Sequence, residues 1–120
     1  MHRFILRLRS FKYALQGLRY GFRTQRNLRF HTAAAVVVLI MSVVLGVSSA
    51  EFWRLMLAIT LVIAAELINT AVELAVDLAM PESHPKAKAA KDAAAAAVLI
   101  TAVFAAYTGW DVFSGYFQAD

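Results

Sequence analysis

Residues 61–79, LVIAAELINTAVELAVDLA, are apolar enough to sit in a bilayer yet carry Glu66, Asn69, Glu73 and Asp77. Spacings of three, four and four residues put these on one side of an α-helix, within an arc of roughly 80° at about 100° per residue. An acid at the centre of a lipid-facing helix costs about 2.5 to 3.5 kcal/mol, whereas each Leu, Ile or Val returns about 0.3 to 0.6 kcal/mol. The aliphatic residues of Leu55–Ile63 therefore offset one acid, not three. The polar face must meet other helices, a cation or water, and ionisable groups kept at such a cost mark a working site.

The flanking sequence supplies the rest of a membrane protein. Phe11, Leu15, Leu18 and Phe22 form an apolar stripe with Lys12, Arg19, Arg23 and Arg26 beside it. This is the pattern of an amphipathic surface helix, expected over about 3–28, with basic side chains reaching lipid phosphates. Gly17 and Gly21 would let another helix approach closely. Thr32 to Ala50 is 19 residues without a charge, enough for a first span at about 30–49. A secretory signal peptide would not be preceded by a patterned basic segment of this length.

Glu51-Phe52-Trp53-Arg54 is expected to be a tight turn with an interfacial aromatic anchor. A second span at about 52–79 would be about 42 Å long, so its end emerges into the headgroups. Pro81 and Pro85 stop it and leave 80–85 as a polar loop. A third span is expected at about 88–113; it contains a run of five alanines from Ala93 and approaches an aromatic girdle of Tyr107, Trp110, Tyr116 and Phe117. The fold class is all-α integral membrane, a single domain over 1–120.

Charge sets orientation and excludes partners. Residues 1–50 hold eight Lys/Arg and no acid, while residues 51–120 hold four Lys/Arg against eight acids. A basic half adjoining apolar spans points to an anionic membrane surface rather than nucleic acid. Lys86, Lys88 and Lys91 in and after the 80–85 loop place that loop and the N-terminus in the cytoplasm. The absence of cysteine excludes disulfides and thiolate metal sites. Three spans leave little room to enclose the acidic face, which implies a homo-oligomer.

Three readings of that face follow from the residues: a buried ion-pair network joining subunits, a proton or cation path, and a carboxylate cluster holding a divalent metal with one acid as base. The first two would make the chain a non-enzymatic membrane ion-path or assembly subunit. Lys88, Lys91 and Asp92 favour the third, because lysines at a helix N-terminus suit phosphate. Acids for metal beside lysines for phosphate are the minimum apparatus of phosphoryl transfer. The chain has no Walker A motif, Gly-rich loop or kinase catalytic loop.

The segment Glu66-Leu-Ile-Asn69-Thr70-Ala71-Val-Glu73 with Asp77, followed by His84-Pro85-Lys-Ala-Lys88-Ala-Ala-Lys91-Asp92, resembles the bacterial integral-membrane diacylglycerol kinase family. Gln16-Gly17-Leu18-Arg19 and Asn27-Leu-Arg29-Phe-His31 extend the likeness over about residues 10–112. The resemblance implies a homotrimeric helical bundle with active sites between subunits at the cytoplasmic face of the bacterial inner membrane. It implies transfer of the ATP γ-phosphate, with Mg²⁺, to a membrane lipid alcohol such as undecaprenol or diacylglycerol.

Residue by residue, Glu66 matches the family's catalytic base, meeting the lipid hydroxyl, and Glu73 a metal-binding carboxylate. Asn69, Asp77, Lys91 and Asp92 match polar residues around phosphates and metal, while Tyr13, Glu82, Ser83 and His84 match nucleotide contacts. One position departs: where the family often has a second metal-binding glutamate, this chain has Gln25. An amide still offers a carbonyl oxygen to Mg²⁺ but adds no charge.

Overall fold

The computed structural model describes residues 1–118, and among these all regular structure is helical. Helix α1 covers His2–Thr24, α2 Arg26–Leu45, α3 Ser49–Ala79 and α4 Pro85–Phe117. The last three are long and apolar enough to cross a membrane.

The α1–α2 joint shows how a helix ends without Gly or Pro. The expected surface helix runs on to about residue 28, but α1 stops at Thr24 and Gln25 is extended, with φ −109° and ψ 107°. The Gln25 N–H donates to the Gly21 carbonyl at 2.8 Å. The Arg29 guanidinium donates to the carbonyls of Phe22 at 2.8 Å and Arg23 at 3.2 Å. A cation on the last free carbonyls satisfies them and complements the helix dipole, so Arg29 from α2 closes α1.

Helix α2 ends at Gly46, whose φ of 65° is left-handed. Gly46 N–H donates to Val43 O and Val47 N–H to Ser42 O, the paired bonds of a Schellman ending. The turn expected at Glu51–Arg54 lies earlier, at Gly46–Ser48, and those four residues are already helical. The reason is a capping box: Ser48 Oγ accepts from the Glu51 N–H at 3.2 Å, and Glu51 Oε1 accepts from the Ser48 N–H at 3.1 Å. At the other end, His84 Nδ1 accepts from the Lys86 N–H at 3.1 Å, with Pro85 in the first turn of α4, so this helix starts at Pro85 and continues to Phe117, past residue 113.

Helices α3 and α4 form the most extensive pair, and α2 packs mainly on α3. Leu55, Val112 and Phe113 form a buried cluster at the end remote from the basic loop, with Val38, Met41, Leu45 and Val47 packed on it. Arg54–Asp111 at 2.7 Å and Tyr116 Oη to Glu51 at 2.7 Å tie the same end together.

Helix α1 meets this bundle near Gly21, where an added Cβ would lie 2.8 Å from Leu28 Cδ2 and 3.1 Å from Leu67 Cδ2. Gly17 has open space around it. The stripe residues Phe11 and Leu15 are exposed and Leu18 is half-buried, so most of the α1 apolar face is uncovered by the described residues. An apolar groove of about 770 Å³ runs between α2 and α4 over α3, with small residues such as Ala34, Ala58, Ala102 and Gly109 in its walls. Phe30 and His31 line it as well, at the start of α2.

Candidate functional site

The polar residues of α3 form a gradient from dry to wet. Glu66 is only 2% exposed and Asn69 9%, Glu73 is half-buried, and Asp77 is exposed. From Glu66 to Asp77 is eleven residues, or about 16 Å along the helix. The face foreseen from spacing is therefore a ladder whose inner rung lies inside the bundle and whose outer rung meets water.

The inner rung has little polar company from its own helix. Thr70 turns its hydroxyl back to the Glu66 carbonyl at 2.9 Å, which leaves the Glu66 carboxylate untouched. A polar group comes from α2: His31 Nε2 lies 3.4 Å from Glu66 Oε1. That separation is within ion-pair range but without hydrogen-bond alignment, and Oε1 is buried with no hydrogen-bond partner. His31 was not singled out by spacing, because its partner stands on another helix.

One turn outward, Asn69 Nδ2 donates to Glu73 Oε1 at 3.1 Å. This leaves Asn69 Oδ1 buried and without a partner. An unsatisfied buried acceptor costs about 1–3 kcal/mol, which an added donor or cation would recover. Glu73 and Asn69 thus present a carboxylate and a free amide oxygen side by side, the hard-oxygen donors that Mg²⁺ takes. Among the described residues, no three His, Asp or Glu side chains of one chain are gathered as a metal-holding group.

The outer rung joins α4. Lys91 Nζ forms an ion pair with Asp77 Oδ1 across the two helices. Lys88 pairs with Asp92 at 2.6 Å within α4. Both pairs reach solvent, so each exposed pair contributes at most about 1 kcal/mol to stability and remains open to an anion.

Among the described residues, the remaining predicted residues make no hydrogen bond or ion pair with this ladder. Glu82, Ser83 and His84 are exposed in the α3–α4 loop, where the His84 side chain caps α4. Tyr13 is exposed on α1, about two turns before the point where that helix meets the bundle. Gln25, half-buried at the α1–α2 joint, donates its amide to Thr24 Oγ1 at 3.3 Å.

Comparison with known proteins follows the same residues. A sequence model of the family described as prokaryotic diacylglycerol kinase matches residues 12–113. The undecaprenol kinase of Bacillus subtilis is 44% identical over 105 residues, covering 88% of this chain and 85% of the relative. A diacylglycerol kinase of Synechocystis is 45% identical over 101 residues, covering 83% of this chain and 58% of that longer protein. The diacylglycerol kinase of Haemophilus influenzae is 34% identical over 93 residues, covering 78% and 79% respectively.

Proposed function

Because the chain belongs to the prokaryotic diacylglycerol kinase family and is a lipid kinase, we propose that it transfers the γ-phosphate of ATP to the hydroxyl of a membrane lipid alcohol, with Glu66 as the base. The observation that carries the assignment is a carboxylate only 2% exposed on a membrane-spanning helix, in the segment matched to that family. A buried acid of this kind is retained for chemistry rather than for stability.

In the proposed reaction Glu66 takes the proton of the lipid hydroxyl as the alcohol oxygen bonds to the γ-phosphorus. The bond from that phosphorus to the β–γ bridging oxygen breaks, and ADP leaves with the electron pair. Lys91, anchored by Asp77, and Lys88, beside Asp92, lie at the water-facing end of the ladder, where phosphates arrive from the cytoplasm. The α3–α4 loop at Glu82–His84, and Tyr13 on α1, supply the nucleotide contacts in this reading. Glu73 and Asn69 would hold Mg²⁺, with Gln25 adding a carbonyl oxygen; the bound ion would neutralise charge on the phosphates.

The orientation is cytoplasmic for the N-terminus and the 80–85 loop, in the bacterial inner membrane, on the distribution of Lys and Arg. The assembly is a homotrimer with its sites between subunits. One feature supports an assembly: buried oxygens of Glu66 and Asn69 stay unsatisfied among the described residues of one chain.

Of the relatives covered over more than two thirds of their own length, the undecaprenol kinase is 44% identical and the Haemophilus diacylglycerol kinase 34%. A diacylglycerol kinase is 45% identical, so identity does not separate the two lipids; undecaprenol is proposed on the relative that aligns over most of both chains. Purified protein in lipid, given labelled ATP and Mg²⁺ with undecaprenol or diacylglycerol offered separately, should label undecaprenol faster. Label in neither lipid would overturn the assignment.

A further inference from the structure

We propose that His31 is the positioning residue of Glu66, holding one carboxylate oxygen so that the other faces the substrate hydroxyl. The inference rests on Glu66 being the base. It begins from an accounting of polar groups around a carboxylate that has almost no contact with solvent. Asn69 is spent on Glu73, the Thr70 hydroxyl on the Glu66 backbone, Lys91 on Asp77, and Lys88 on Asp92. His31 Nε2, 3.4 Å from Oε1, is the polar atom left beside that oxygen.

A carboxylate buried without a donor is costly, and either a neutral imidazole bearing its proton on Nε2 or an imidazolium would supply one. A hydrogen bond requires the pair, now 3.4 Å apart without alignment, to close to about 2.7–3.2 Å. The terminal torsion of a glutamate is broad, so a carboxylate with no partner wanders between orientations. A base must meet its proton in a narrow geometry, and about 1 Å of misplacement can lower a rate by about 10²-fold.

The histidine is half-buried, its side chain 22% exposed. It sits on α2 three residues after Leu28, which is 0% exposed, and its ring meets Phe30 edge-on with centroids 5.5 Å apart. A neighbouring helix thus supplies what α3 does not, from a residue that also lines the apolar groove.

The test compares His31→Gln with His31→Phe in the full-length protein in lipid, with Glu66→Gln alongside. Gln restores an N–H donor and Phe keeps a ring without one. The expected result is a kcat lower by about 10²-fold for His31→Phe, kcat within a few-fold of the parent for His31→Gln, and KM for ATP unchanged in both. His31→Leu repeats the apolar comparison with a smaller group, so a folding defect in one variant leaves the other to decide. Equal losses in the Gln and apolar variants, or parental kcat in the apolar ones, would overturn the positioning role. Turnover by Glu66→Gln would instead remove the base beneath it. An inactive Glu66→Gln beside a fully active His31→Phe removes the positioning role alone.

Discussion

Glutamate and glutamine differ by one oxygen, one nitrogen and a unit of charge, and in the proposed site that difference at position 25 would set how tightly an ion is held. In the proposed site Glu73 is the charged ligand and Gln25 a neutral one. Adding a carboxylate should strengthen Mg²⁺ binding, so Gln25→Glu is expected to lower the Mg²⁺ concentration for half-maximal rate by about tenfold, near 1.4 kcal/mol. The measurement is a Mg²⁺ titration at saturating ATP and lipid; an unchanged midpoint would show that position 25 does not face the ion. Glu73→Gln should abolish turnover while leaving the oligomer intact, and retained turnover would sink its metal role. At this scale the sequence was informative about α3 and blind to its neighbour. Four polar residues at helical spacing declare their shared face, because the period is a local property. The approach of His31 to Glu66 depends on how α2 packs on α3, and no spacing within one helix encodes it.

At the scale of elements, two substitutions separate close packing from open space. A methyl group at Gly21 meets Leu28 and Leu67, and Leu28 has no exposure through which to move aside. Gly21→Ala is expected to destabilise the docking of α1 by about 1–3 kcal/mol, read as a lower melting temperature in detergent and faster proteolysis of α1. Gly17→Ala meets nothing in its own chain and should be neutral, or stabilising by up to about 1 kcal/mol through helix propensity.

The capping box at the head of α3 gives a third case: Ser48→Ala should cost about 0.5–2 kcal/mol by the same thermal measurement. That box was legible. Ser48-Ser49-Ala50-Glu51 before an apolar run is the signature of a helix start, and reading it would have moved the turn back to Gly46. The break at Gln25 was not legible, since it relies on Arg29 reaching back to the end of α1 rather than on a breaker residue.

At the scale of the whole molecule, the question is what completes a polar ladder that one chain leaves partly unsatisfied. Helix α1 carries Tyr13, assigned to nucleotide in the proposed site, yet among the described residues it meets its own bundle near its C-terminal end, and its residues 2–17 are exposed. On the trimeric reading, that projecting part serves the ladder of an adjacent subunit. Chains lacking residues 1–15 keep the Gly21 contact but lose Tyr13, and should be inactive by themselves. Glu66→Gln chains should be inactive for a different reason, an intact α1 with no base. Co-reconstituted after subunit exchange, the two should regain turnover that neither shows alone, because the α1 of one defective chain then meets the intact Glu66 of the other. If α1 instead folds against the ladder of its own chain, each mixed site still lacks one component and the mixture stays inactive.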